Sequence, residues 1–289
     1  MNVSVALTTC NGARYLREQL DSILRQDWPV DEIVVGDDGS SDGTRELLEA
    51  CAREAAVPFD LHFHEAPLGT VRNVEFVVQR CSGDVIFLSD QDDVWHRGKV
   101  RRMVSLLQAR PDTLLAFCDG DLIDSDARPL PGTLWHRWGF TPRMRRSWAK
   151  NGARALRDLV DNDNKVTGAT VAFRRRLLEH ALPMELPQGH WHDAWLALHA
   201  MANGGLAFID EPLISYRIHA SQQVGVTPAG AVDSNADAHA SAVQRSREAL
   251  ARQYPDLAAV ILDPSHPGSL SPASRRLRHA LRSALARLG

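Results

Sequence analysis

The sequence has little of what marks secreted, membrane-spanning or nucleic-acid-binding chains. It holds only four cysteines, Cys10, Cys51, Cys81 and Cys118, widely spaced and with no Cys-x-x-Cys pair. They read as reduced core residues, not as disulfides or metal ligands. No apolar run approaches the roughly 18–20 residues that span a bilayer. Met1-Asn2-Val3-Ser4-Val5 enters a strand pattern at once, without the basic segment and apolar stretch of a secretory signal, so the expected location is cytoplasmic. A formal net charge of −3 argues against a general nucleic-acid binder, and no nucleic-acid partner is expected. No internal repeat or low-complexity tract stands out. The apolar fraction of 44% over 289 residues is ample for a core, in one large domain or two small ones.

What is present is organised around residues 85–95, Val-Ile-Phe-Leu-Ser-Asp-Gln-Asp-Asp-Val-Trp. Four apolar residues, Val85 to Leu88, fit a strand buried on both faces. It runs into Asp90, Asp92 and Asp93. Carboxylates gathered so closely repel one another, and a hard divalent cation such as Mg²⁺ or Mn²⁺ would compensate them. The plainer reading is a polar turn after a core strand.

Taken from the start, Val3–Leu7 reads as a strand ending in the polar turn Thr8-Thr9-Cys10-Asn11-Gly12. Tyr15, Leu16, Leu20, Ile23 and Leu24 have the spacing of a helix face between Arg14 and Gln26. Ile33–Val35 is a second strand, closed by Gly36-Asp37-Asp38-Gly39-Ser40-Ser41-Asp42-Gly43, where Ser41 or Asp42 could cap the next helix. A weak third strand at Asp60–Phe63, a helix over Gly69–Arg80 and the strand at Val85 follow. Alternation of this kind implies right-handed βαβ units and a parallel sheet. Ligands of such sheets sit beyond the carboxyl ends of the strands. Thr8–Gly12, Asp37–Ser41 and Asp90–Asp93 should therefore share one rim.

The second half is less regular. A helix is expected over His96–Gln108 and a strand over Thr113–Phe117, closing on a second Asp-x-Asp, Asp119-Gly120-Asp121. By local pattern this is a rival metal site, although Gly120, Asp124 and Asp126 also suit turns. Periodicity is lost from Pro129 to Gly152, a stretch carrying Trp135, Trp138 and Trp148 among arginines. It reads as a long irregular segment that either embraces a ligand or is anchored by its tryptophans. Val166–Phe173 is expected as a strand, with Gly168 permitting close backbone approach. Arg174-Arg175-Arg176 should sit at a helix start, mostly as a solvated face. His190-Trp191-His192-Asp193 opens a further helix; it could bind zinc or simply form a helix start. Leu206–Ile209 and Leu213–Tyr216 read as a last strand pair. Beyond Val226 a linker leads to a helix from Pro272, with leucines on one face and arginines on the other. That pattern suits either contact with a membrane surface through residues 272–289 or packing on the body.

Taken together, these stretches resemble the family 2 glycosyltransferases of GT-A fold, over about residues 2–225. The carriers are Val5–Gly12, Asp37–Thr44, Asp90–Trp95, Gly168-Ala169-Thr170, His192-Asp193-Ala194-Trp195 and Glu211–His219. The closing segments look most like bacterial rhamnosyltransferase-type members. The resemblance implies an α/β, single Rossmann-like, mostly parallel sheet flanked by helices. Residues 1–226 would be the GT-A domain, with a nucleotide-sugar half (1–110) and an acceptor and catalytic half (111–226). Residues 227–289 would be a linker and helical C-terminal extension. It further implies that Thr8, Thr9, Asn11, Asp38, Arg72, Asp90, Gln91 and Gly168 meet a nucleotide diphosphate sugar. Asp92 and His219 would hold Mn²⁺ or Mg²⁺, and Asp193 would be the catalytic carboxylate, with His192 and Trp195 on the acceptor side. Many family members carry Glu-Asp where this chain has His192-Asp193.

The implied activity is metal-dependent, inverting transfer of a sugar, from a dTDP-rhamnose or UDP-hexose type of donor. The acceptor would be glycan or lipid-linked, as in cell-surface polysaccharide synthesis, with peripheral contact at the inner face of the membrane. Two alternatives stand beside it. A Mg²⁺-dependent phosphotransferase usually carries its nucleophilic aspartate after the first strand, where this chain has Thr8-Thr9. A non-catalytic nucleotide- or carbohydrate-binding module on the same fold would be marked by loss of Asp92 or Asp193, and both are present.

Overall fold

The computed structural model describes residues 1–161, 164–186, 190–222 and 247–262. The linker and helix expected between 227 and 289 lie outside the described residues except for 247–262. In chain order the elements are β1 (Val3–Thr9), α1 (Ala13–Leu24), β2 (Glu32–Asp37), α2 (Thr44–Glu54), β3 (Phe59–Phe63), α3 (Thr70–Arg80) and β4 (Val85–Ser89). The second half supplies β5 (Val94–Trp95), α4 (Lys99–Ala109), β6 (Leu115–Ile123), β7 (Pro129–Thr133), α5 (Leu134–Arg137), α6 (Pro142–Lys150) and α7 (Gly152–Val160). After these come β8 (Val171–Arg174), α8 (Leu178–Ala181), α9 (His192–Asn203) and β9 (Leu206–Arg217).

Among the described residues one sheet runs β3-β2-β1-β4-β8-β6-β9-β5, with β7 paired to β6. The β3-β2-β1-β4 half is wholly parallel, as the βαβ alternation predicts. Beyond β4 the sheet is mixed, since β8 runs antiparallel to both β4 and β6. The strands are apolar on both faces because helices cover both. Val3, Val5 and Leu7 pack with Leu16, Leu20 and Leu48 on one side. Ala6, Val34 and Ile86 pack with Val77, Leu156 and Leu196 on the other. This is the period-two alternation of a strand serving two cores.

Five expectations change here. The second Asp-x-Asp is not a turn: β6 continues through Asp119-Gly120-Asp121 to Ile123. Asp119 is buried, and its Oδ1 accepts the amides of Gly120 at 2.8 Å and Trp135 at 2.9 Å. Residues 129–152 are ordered as β7, α5 and α6, with Trp135 and Trp148 buried in the core and Trp138 turned to the cavity described below. The expected last strand pair is the single strand β9, parallel to β6 with an irregularity near Asp119. Val166–Phe173 is a strand only from Val171, because Gly168–Thr170 forms a 3-10 turn. At α2 the cap position is held by Gly43 at φ 92°, and Asp42 reaches past it to accept the Thr44 amide at 3.2 Å. No helix among the described residues is long and apolar enough to cross a membrane.

Candidate active site

The register brings the polar turns together. Thr9 pairs with Asp37 and Leu7 with Ser89, so the carboxyl ends of β1, β2 and β4 form one rim. Because β8 is antiparallel to β4, with Phe87 opposite Ala172, its leading turn Gly168–Thr170 arrives at that same rim. The end of β9 and the start of α9 complete it. They enclose a cavity of about 650 Å³.

The wall from the first half is tightly tied. Asp37 accepts Thr9 Oγ1 at 2.8 Å, Ser40 Oγ at 2.5 Å and Arg45 Nε at 2.9 Å. Asp38 lines the cavity and accepts the amides of Leu68 at 2.6 Å and Gly69 at 2.9 Å. Asn11, at φ 50°, accepts the Ser41 amide through Oδ1 at 2.9 Å. Gln91 clamps Cys10, accepting its amide at 2.8 Å and donating to its carbonyl at 3.0 Å. Gly12 is required by that clamp, since a Cβ there would lie 2.2 Å from Gln91 Oε1. Thr8, Asn73 and Thr70 line the same wall.

At the centre stand the acids. Asp90, Asp92 and Asp193 all face the cavity with His192 and His219. His219 Nε2 is 2.7 Å from Asp92 Oδ2. The His219 ring also rests 4.8 Å from that of Tyr15. Asp193 is partly buried; its Oδ2 accepts the Gly168 amide at 3.0 Å, and its Oδ1 accepts Asn164 Nδ2 at 3.1 Å and the Ala194 amide at 2.6 Å. Desolvation outweighs these bonds and pushes its pKa up to about 6. Asp90 is likewise pushed up to about 6 by desolvation and by Asp92. Burial pushes His192 down, partly offset by Asp90. His192 also closes on Gly168, where a Cβ would sit 2.9 Å from Nε2. Trp191, before it, is 39% exposed at the cavity wall. Trp191 holds the cap position of α9 without a side-chain bond, so Asp193 is not the cap but a first-turn residue.

Two expected site residues are elsewhere. Arg72 is not among the cavity-lining residues; it pairs with Glu75 at 2.6 Å. Trp195 is core, its Nε1 donating to the Ala181 carbonyl at 2.8 Å. In both cases helical position near a motif does not say which face meets the cavity.

Other residues were not singled out in the sequence. Arg217 is 1% exposed; its amide donates to Asp93 Oδ1 at 3.0 Å, its Nε to the Asp92 carbonyl at 2.7 Å and its Nη2 to Glu18 at 2.6 Å. It fixes the acidic turn to the end of β9. Lys99 is wholly buried beneath the site. Arg217 lies within the Glu211–His219 stretch, and Lys99 follows the Asp90–Trp95 stretch. Cys51, Cys81 and Cys118 are buried free thiols as expected, and Cys10 is partly exposed on the cavity wall.

Among the described residues no group of three His, Cys, Asp or Glu side chains could hold a metal by itself. That gives no support to zinc at His190-Trp191-His192-Asp193. Asp92 with His219 offers two ligands facing open volume, a set that fits a hard divalent ion completing its shell from diphosphate and water.

The family model for glycosyl transferase family 2 matches residues 4–181. An uncharacterized glycosyltransferase of Nostoc sp. is 26% identical over 228 residues, 76% of this chain and 65% of that relative. The chain spans between 21% and 65% of other curated relatives. Among solved structures, S. aureus TarS 1-349 in complex with UDP-GlcNAc has a TM-score of 0.62 at 16% identity, covering 99% of this chain and 80% of that one. The Pyrobaculum calidifontis mannosyltransferase PcManGT in complex with GDP-Man and Mn²⁺ has a TM-score of 0.59 at 21% identity, covering 99% and 72%. At these identities the structures establish a shared GT-A fold.

Proposed function

This chain belongs to glycosyl transferase family 2, and from that premise we propose that it moves a sugar, with inversion, from a nucleotide diphosphate sugar to a hydroxyl of a glycan or lipid-linked acceptor. The observation that carries the reading is the convergence of Asp193, Asp92 and His219 on one cavity of about 650 Å³. Residues 1–110 supply the nucleotide side through Thr8, Asn11 and Asp38. Residues 111–226 supply the catalytic side.

Asp193 is the general base. Its Oδ atoms are oriented by Gly168 and Asn164, and a pKa near 6 leaves it ionised yet basic at neutral pH. It takes the proton of the acceptor hydroxyl as that oxygen attacks the anomeric carbon. The sugar–phosphate bond breaks on the opposite face, which inverts the configuration. A divalent ion held by Asp92 and His219 would act as a Lewis acid toward the departing diphosphate. Arg217 holds the acidic turn in place, and His192 closes the floor beside Gly168.

Mn²⁺ or Mg²⁺ are the ions of this reading; a Mn²⁺ complex of the mannosyltransferase neighbour is in keeping with it. TarS with UDP-GlcNAc and PcManGT with GDP-Man leave the base open. The dTDP-rhamnose or UDP-hexose type remains our reading of the closing motifs, and peripheral attachment at the cytoplasmic face would fall to residues 272–289. A thermal-shift panel of UDP-, dTDP- and GDP-sugars, each with and without Mn²⁺, tests the proposal, because a ligand of the native state raises its melting temperature by mass action. A metal-dependent shift with one donor is expected; no shift with any of them would reject it.

A further inference from the structure

Lys99 breaks two rules of its position. It is the first residue of α4, at the positive end of the helix dipole, where a cation is disfavoured. It is also 0% exposed, and burial pushes its pKa down to about 8. Among the described residues it makes no ion pair. Its ammonium donates to the Ala169 carbonyl at 2.7 Å and lies 3.8 Å from the centre of the Trp95 ring. Cys118 faces it from β6, and Asp93 and Asp90 face it from the acidic turn. Local rules are broken chiefly at functional sites.

The carbonyl that Lys99 holds belongs to the turn Gly168–Thr170. One residue earlier, the Gly168 amide donates to Asp193 Oδ2. The turn is closed on itself by Thr170 Oγ1, which donates to the Thr167 carbonyl at 2.7 Å. Lys99 does not line the cavity, so it acts through this turn and not on a substrate.

We propose that Lys99 is a positioning residue for Asp193: by gripping the Ala169 carbonyl from below, it fixes the Gly168 amide against the carboxylate. This rests on the reading of Asp193 as the base. The ammonium supplies what an apolar residue of the same length would not, a directed bond to the turn and a positive charge under an acidic site.

The test uses the full chain with K99M, which keeps length and removes the ammonium, and K99Q, which keeps a donor without charge. The ¹H–¹⁵N resonance of the Gly168 amide is followed as pH is varied. In the wild type it should report Asp193 with a midpoint of about 6. In K99M the midpoint should rise by about half a unit or more, because a bond donated to the charged form is what holds the pKa down. K99Q should fall between. K99M should stay folded, its melting temperature lowered by no more than the loss of one bond to a buried carbonyl explains. On whichever donor the nucleotide panel selects, kcat should fall on the order of tenfold with donor KM unchanged. An unmoved Gly168 titration in folded K99M would overturn the proposal, as would a raised KM with normal kcat. Unfolding of both variants would make Lys99 a structural strut and overturn it too. The Gly168 resonance needs no substrate, so it separates a failure of this proposal from a failure of the base assignment.

Discussion

His219 Nε2 stands 2.7 Å from Asp92 Oδ2, joining the turn after β4 to the end of β9. On its other side, His219 Nδ1 lies 2.8 Å from Ser221 Oγ. The pair is therefore oriented from both sides before any ligand arrives, which lowers the ordering cost of binding. Asp92→Asn should abolish the Mn²⁺-dependent gain in nucleoside diphosphate affinity. Calorimetric titration with UDP, dTDP and GDP, with and without Mn²⁺, measures it. An equal gain in the variant and the wild type would remove Asp92 from the ion's ligands.

Asp119 should behave otherwise. Its Oδ1 satisfies two backbone amides, those of Gly120 and Trp135. Asp119→Ala leaves them without that acceptor and should lower stability by about 1–3 kcal/mol in urea unfolding. The Mn²⁺ dependence of nucleotide affinity should be unchanged. The reverse pattern would return the metal to the second Asp-x-Asp.

Legibility in the sequence followed burial. Strands β1, β2 and β4 were readable because both faces are apolar and helices alternate with them, so the rim of Thr8, Asp38 and Asp90 could be named in advance. The chain loses that clarity where polar residues are buried. Asp119-Gly120-Asp121 has the composition of a turn, yet it lies within β6. At Gly120 a Cβ would lie 3.0 Å from the Ile214 side chain of the neighbouring strand. Trp135 and Trp148 looked like loop residues because the short helices that carry them are too brief for a period to register. Arg217 and Lys99 carry charges that suggest solvent, and only the fold reveals that both are buried with backbone carbonyls as partners.

The ionisation of Asp193 sets a pH dependence. Its folded pKa, pushed up to about 6 by burial, lies above the ordinary aspartate value. A carboxyl raised on folding favours the folded state at low pH, and that contribution is lost as pH rises through the folded pKa. Asp193→Asn does not ionise, so its melting temperature should gain on the wild type between about pH 4 and about pH 6 and run parallel above that. The wild-type transfer rate should fall below about pH 6 as the base is protonated. A melting difference that is flat across this range would place the pKa of Asp193 near its ordinary value.

In the proposed mechanism Asp193 takes the proton of the attacking hydroxyl. The most direct measurement is the single-turnover transfer rate of Asp193→Asn against the wild type at pH 8, with saturating donor, together with donor affinity. General-base assistance is worth about 10²–10⁴ in rate. Turnover should fall within that range while donor affinity stays within about twofold, because in the proposed mechanism the diphosphate would be held by Asp92, His219 and the nucleotide wall. A folded, donor-binding variant that turns over at a near-normal rate would take Asp193 out of the mechanism.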